Sequence, residues 1–249
     1  MEGVTAPCPR TPPHTTRSAP NPRLYSHRNL KRYGQVVVRW SHRLAWKVDN
    51  EKILDLYALY MAPTHLEVGP ADGHFLLRAP VPATPAGEEV SARLRQIHLM
   101  DLNPAPLDYC VPKLAEHGQV IPHEHDVLTT PWPLPDASVG SVAMFHVLHC
   151  VPGQTMRHKA AAFSEATRVL GDGGVFIGST LLGVGDPRTN NNWIARRLQG
   201  AYNKPSRNMF HNSGDRLVDL RAMLDLHFAR VDLTVMGSAG VWVAREPRR

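Results

Sequence analysis

The sequence predicts an α/β fold: a mostly parallel sheet of seven strands, helices on both faces, and an antiparallel hairpin closing one edge. Three observations predict it. Strand and helix signals alternate from Thr64 onward, and repeated strand–helix units call for parallel strands joined by crossovers. The final two strand segments have no helix between them, which suits an antiparallel pair at a sheet edge. A length of 249 residues fits one large α/β unit carrying a terminal extension.

The elements run in this order. Six of the first 22 residues are proline. Proline supplies no backbone donor and pushes its neighbours to extended backbone, so residues 1–27 read as a disordered tail. From Asn29, Leu30, Tyr33, Val37, Trp40, Leu44 and Trp46 recur at roughly helical spacing. Asp49 is placed to cap a second helix over EKILDLYALYMA. These two helices, within residues 28–62, pack on the core or form a lid over a ligand pocket. The main α/β unit then runs over 63–249. THLEV is a strand, and VGPADGHF a Gly/Pro turn leading to a brief helix. RAPVPATPAGEE is a loop, IHLMDL a strand, PAPLDYCVPKLAEHG a helix and QVIPHEHDV a strand. A buried strand spans Val139 to Phe145. MRHKAAAFSEATRVL is a helix stopped at Gly171 by the turn GDGG, and VFIGSTLL is the fifth strand. Two more helices, NNNWIARRLQGAYNK and DRLVDLRAMLDLHF, precede a pair of strands around Gly237.

Charge narrows the function classes. The net charge is +6, but residues 1–50 hold nine Lys/Arg and two acids, a balance of +7, and the other 199 residues balance at −1. The basicity belongs to the N-terminal segment, so a nucleic-acid partner is not expected of the main unit. No apolar run approaches the ~18–20 residues of a membrane span, and the first 23 residues hold no apolar stretch of a secretory leader. The acid-free stretch from residue 3 to 48 admits an organelle transit peptide, which its prolines oppose. Three scattered cysteines form neither a disulfide framework nor a zinc pattern. A cytoplasmic protein is expected, monomeric or homodimeric.

The chemistry gathers at strand ends. In Leu66-Glu67-Val68-Gly69-Pro70-Ala71-Asp72-Gly73, the small residues at 69, 71 and 73 let the backbone turn sharply and approach a ligand. Asp101, at the tip of the second strand, can accept both hydroxyls of a ribose. Asp126, ending the third, can accept an exocyclic adenine amine while Val127 or Leu128 backs the ring. Either acid alone also reads as a cap or turn residue. The three in order, each at a strand end, are far more specific.

With HLEVGPADGHFL, HLMDLNPAPL, HDVL, FHVLHCVPG, RVLGDGGVFIGSTLLG, AYNKPSRNMFHN and GVWVARE, the chain resembles the class I S-adenosylmethionine-dependent methyltransferases from about Tyr33 to Arg245. Within that family it looks most like the small-molecule methyltransferases of bacterial and fungal secondary metabolism. The resemblance implies a Rossmann-like fold and S-adenosylmethionine as cofactor, with S-adenosylhomocysteine as product and no metal. By resemblance Gly69, Ala71 and Gly73 wrap the methionine part, Asp101 holds the ribose, and Asp126 with Val127 holds the adenine. Glu67, Pro70, Leu102, Asn103, Leu128 and Phe145 complete the implied set, and His146 borders both sulfonium and substrate. Ala71 departs from the pattern, standing where the family has its second glycine. A dinucleotide oxidoreductase is disfavoured, because G-x-G-x-x-G would need glycine at Ala71 and His74.

The segment after the fourth strand bears on the acceptor. Enzymes of this fold that methylate base amines often carry Asn/Asp-Pro-Pro-aromatic there, whereas this chain has Phe145-His146-Val147-Leu148-His149. His146 and His149 are the candidate catalytic bases for a hydroxyl; alternatively they satisfy backbone groups at a pocket rim. His123 and His125 alternate along a strand without a third ligand of suitable spacing, so a metal is not expected. Tyr33, Trp40, Tyr202, Phe210 and His211 are the candidate substrate residues. The segment from Arg196 and Arg197 through Asn203 and Met209 either covers the mouth or is a solvated helix and loop. The expected reaction is methyl transfer to an O or N nucleophile of a small, largely apolar molecule. The alternatives are cyclisation or rearrangement promoted by the bound cofactor, and a non-catalytic module using the basic tail.

Overall fold

The computed structural model describes residue 30, residues 34–79 and residues 96–249. The tail at 1–27, Tyr33 and most of the Pro/Ala loop lie outside the described residues. In chain order the elements are α1 (Gly34–Trp46), α2 (Asn50–Tyr60), β1 (Thr64–Val68), β2 (Gln96–Asp101), α3 (Pro104–Leu114), β3 (Gln119–Glu124) and β4 (Val139–Phe145). Then come α4 (Ala160–Val169), β5 (Leu170–Leu181), α5 (Trp193–Tyr202), α6 (Leu217–His227), β6 (Phe228–Met236) and β7 (Ala239–Pro247).

Among the described residues, seven strands form one sheet in the order β3-β2-β1-β4-β5-β7-β6. The first five strands run parallel, and β7 lies antiparallel between β5 and β6. The sequence explains the positions. β2 and β4, interior strands, are buried along almost their whole length. At the two edges, β3 and β6 are half exposed, and Pro122 in β3 costs no ladder bond that an edge strand needs. Gly237, at φ +60°, makes the tight connection from β6 towards β7.

Successive residues of a strand face opposite sides, so the sheet divides two cores. Phe176 and Trp242 join Phe163, Leu220 and Phe228 on the α4/α6 face. Ile177 and Val243 join Ile53, Tyr57, Leu107 and Leu114 on the α2/α3 face. Asp49 caps α2 as expected, accepting from the Glu51 amide at 3.1 Å. Asn192 caps α5 by accepting from Ala195 N at 2.8 Å.

Three local expectations need correction. The apolar stripe on α1 splits: Trp46 is buried, whereas Trp40 and Leu44 are 62% and 50% exposed. This helix is wound with i→i+5 bonding, so it turns less per residue than the period used to count the stripe. The brief helix after β1 is a run of separate turns, closed by Gly73 N to Pro70 O, Leu77 N to Gly73 O and Ala79 N to Phe75 O. Finally, α4 ends at Val169 rather than Gly171: Leu170 is already extended and pairs with Val139, and Gly173, at φ +74°, makes the bend inside β5.

Gly178 of β5 lies between Met144 of β4 and Trp242 of β7, with no room for a side chain. A methyl group there would lie 2.3 Å from Trp242 Cζ2 and 2.4 Å from the Met144 carbonyl oxygen. A buried indole and a strand backbone cannot both retreat. Gly178→Ala is therefore expected to cost about 1–3 kcal/mol, read as a lower urea midpoint at an unchanged m-value.

Candidate functional site

The chain leaves β1 towards β2 on one side and later returns to β4 on the other. Such a reversal opens a crevice beyond the carboxyl ends of the strands. Gly69 takes φ +69°, and its amide donates to the Met100 carbonyl at 2.8 Å. A Cβ at Gly69 would sit 2.5 Å from Val147 Cγ2, so only glycine keeps both walls this close. Ala71 also takes a positive φ, +50°, which costs a non-glycine residue about 1–2 kcal/mol. The family's glycine would sit there without strain.

The crevice is a cavity of about 300 Å³ lined at one end by Glu67, Asp72, Asp101 and Asp126. Glu67 is clamped: the Tyr57 hydroxyl lies 2.7 and 2.9 Å from its two oxygens, and His65 Nε2 lies 3.2 Å away. Asp101 accepts from Asn103 N at 2.8 Å. Burial pushes its carboxyl up to about 7, against the pull of that bond. Asn103 caps α3 through its oxygen, while its buried Nδ2 has no partner among the described residues. Asp126 accepts from Leu128 N at 2.9 Å, and Val127 lines the cavity. The Leu128 side chain instead packs against the core.

The other end is built of rings. His42 of α1 stands with its centroid 4.4 Å from that of His146, and His146 is 6.1 Å from His149. Burial pulls His42 down to about 4 and His149 to about 3, and drives His146 well below its usual range. The charge of Lys159 adds to this on His149, and His146 would be held lower still if His42 were protonated. All three imidazoles are therefore neutral at physiological pH. The Nδ1 atoms of His146 and His149 are buried with no partner among the described residues. An unmatched buried polar group costs about 1–3 kcal/mol, which a ligand would relieve.

Tyr202, Asn208, Met209, Phe210 and His211 roof this end. The His211 amide donates to the His149 carbonyl at 2.7 Å, and the Phe210 ring meets His149 edge-on at 4.6 Å. Behind the roof Lys159 Nζ donates to Asp215 Oδ2 at 2.6 Å and to the His211 carbonyl at 3.1 Å. Both charged side chains are fully buried.

The structure thus brings together Glu67, Gly69, Pro70, Ala71, Gly73, Asp101, Leu102, Asn103, Asp126, Val127, Phe145, His146, His149, Tyr202, Phe210 and His211. Leu128 and Trp40 do not line the cavity. His123 does not act with His125: its Nε2 lies 2.9 Å from His98 Nδ1, while His125 leaves the strand and places Nε2 2.9 Å from the Thr129 carbonyl oxygen. Among the described residues no group of three metal-ligating side chains forms, and no helix is long and apolar enough to cross a membrane. Sequence reasoning missed His42 and the Lys159–Asp215 pair. A histidine four residues before Trp46 on one helix was the available signal for His42; a charged pair 56 residues apart gives none.

A seven-stranded sheet of this order, with a glycine turn after β1, Glu67 and Asp101 at the ends of β1 and β2, and Asp126 two residues beyond β3 rather than ending it, defines a nucleoside-binding methyltransferase fold. The comparisons agree, and the chain belongs to the class I S-adenosylmethionine-dependent methyltransferases. A family profile described as a methyltransferase domain matches residues 66–178. A demethylluteothin O-methyltransferase of Streptomyces thioluteus is 32% identical over 227 residues, covering 88% of each chain. An O-methyltransferase of Aspergillus niger is 30% identical over 194 residues, covering 76% of this chain and 93% of its own. The crystal structure of the N-methyltransferase NodS from Bradyrhizobium japonicum, with S-adenosyl-L-homocysteine, shares the fold at a TM-score of 0.54 and 13% identity, covering 90% of this chain and all of that one. The protein is an enzyme of methyl transfer.

The buried ion pair makes the roof testable. Removing one partner strands the other charge, so Lys159→Met is expected to cost about 3–5 kcal/mol. Lys159→Met with Asp215→Leu should recover most of that in thermal unfolding, because two apolar side chains leave no unpaired charge.

Proposed function

We propose that the enzyme methylates an O or N nucleophile of a small, largely apolar metabolite of natural-product biosynthesis. The observation that carries this reading is the division of one cavity into a carboxylate end and an end of neutral imidazoles and aromatic rings. The names of the two relatives, both O-methyltransferases, support it. The free thiols Cys110 and Cys150 suit work in the cytoplasm.

The residues present fit S-adenosylmethionine. Gly69 leaves a cradle that a Cβ would fill, Asp101 offers an acceptor, and Asn103 Nδ2 an unmatched donor. In this assignment Gly69, Pro70, Ala71 and Gly73 wrap the methionine part, with Glu67 held beneath by Tyr57. Asp101 takes the ribose hydroxyls, and Asp126 and Val127 face the adenine. When bound, the cofactor supplies a methyl carbon made electrophilic by sulfonium. The protein aligns the acceptor with that carbon and excludes water. Weakly basic imidazoles remove a proton poorly, so acidic hydroxyls such as phenols and enols suit this site better than aliphatic alcohols.

Two measurements check this. Ribose hydroxyls donate to a charged carboxylate, so they should lower the carboxyl of Asp101 from its position near 7. Cofactor affinity should then be flat above that pH and fall as pH drops below it. Asp101→Ala should weaken binding about a hundredfold and abolish the pH dependence in calorimetry. Unchanged binding would remove Asp101 from the site. In a turnover assay with candidate metabolites, the product should be one methylene unit heavier, with S-adenosylhomocysteine released. A product of unchanged mass would favour cyclisation.

A further inference from the structure

Besides His211 in the roof, three neutral histidines, His42, His146 and His149, line this end of the cavity, and they are not equivalent. His146 places Nε2 3.2 Å from the Ser179 hydroxyl, a group that can donate or accept, so either tautomer is allowed. His149 is packed edge-on against Phe210 and has Lys159 as a charged neighbour. His42 alone is held by a group that only accepts: its Nδ1 lies 2.6 Å from Asn50 Oδ1. The proton must therefore sit on Nδ1, which leaves Nε2 as the accepting nitrogen. The ring itself lines the cavity, near-parallel to Phe75 at 6.2 Å and beside His146.

We propose that His42, oriented by Asn50, receives the hydroxyl of the acceptor through Nε2, so that α1 supplies a catalytic group. This rests on the methyl-transfer reading above and specifies its acceptor as an acidic aromatic or enolic hydroxyl. The hydroxyl donates to Nε2, which turns an oxygen lone pair towards the methyl carbon. As the oxygen–carbon bond forms, the carbon–sulfur bond breaks and its electron pair stays on sulfur. The oxygen, now bearing the positive charge, passes its proton to Nε2, and from there it leaves to solvent. A weak base suffices, because the proton becomes strongly acidic only as the oxygen is alkylated and the sulfonium charge disappears. Asn50 is a positioning residue: it does not line the cavity and acts through the tautomer of His42.

The test uses the full chain with S-adenosylhomocysteine bound and histidine ring nitrogens labelled for NMR. His42 should show a protonated Nδ1 and a bare Nε2, and Asn50→Leu should populate the opposite tautomer. The probes are p-nitrophenol, held below its own pKa so that its hydroxyl keeps the proton, and nitrobenzene, which differ by the hydroxyl. Wild type should prefer p-nitrophenol about tenfold, the worth of one hydrogen bond, and the Nε2 signal should move on binding. His42→Phe keeps a ring in place and should erase the preference while leaving S-adenosylhomocysteine affinity unchanged. A proton on Nε2 in wild type, equal binding of the two probes, no binding of either, or a preference that survives His42→Phe would each overturn the proposal. Failure of wild type to bind S-adenosylhomocysteine would instead overturn the cofactor assignment on which it rests.

Discussion

The reversal of strand order around β1 is the constraint on which the rest of the molecule depends. β1 is flanked by parallel strands on both sides, so the chain leaving it must turn away from β4, and the chain leaving β4 must turn away from β1. The two departures open one crevice. Contact across it is set by a single missing side chain, because Gly69 and Val147 approach within a distance that no Cβ allows. The ends of β2 and β3 then fall on the same rim, where strand register sets the places of Asp101 and Asp126.

The cavity that results is electrically lopsided, and this organises its chemistry. Two unit charges 4 Å apart interact by about 4 kcal/mol at the effective dielectric of a protein surface. A sulfonium bound between the two ends would be favoured by the carboxylates and would further disfavour protonation of the imidazoles. The same burial that pulls down His42 and His149 pushes up Asp101. One physical cause therefore gives opposite consequences at the two ends: a carboxyl waiting for donors and histidines held neutral. The buried Lys159 adds a positive charge behind the roof that works in the same direction on His149.

The sheet and the carboxylate end were legible in the sequence, because their signals are local. Asp101 stands at the end of its own strand, and the glycine turn comes directly after β1. What was not legible depends on contacts across the chain. His42 reaches the cavity only because α1 packs beside Phe75 and His146, both far along the chain from it. Trp40 and Leu44 fell on the wrong face because the helix is wound more widely than the count assumed. Leu128 could not be separated from Val127 by spacing. Adjacent residues differ there in whether the backbone sends the side chain to the cavity or to the core.

The histidines show why residue type is a weaker guide than environment. His146 and His149, read as residues, are bases near neutrality, and both line the cavity. Burial removes most of that basicity. It converts two candidate proton acceptors into hydrogen-bonding groups whose Nδ1 atoms have no partner among the described residues. For the hydroxyl acceptor proposed above, the driving force for deprotonation would then come from the acceptor as it is alkylated. In the proposed reaction the acidity of the substrate hydroxyl would thus become part of the specificity, alongside the shape set by Trp46, Phe75 and Phe210. An aliphatic alcohol could fill the same volume and meet the same rings, yet its proton would have no adequate destination until late in the reaction.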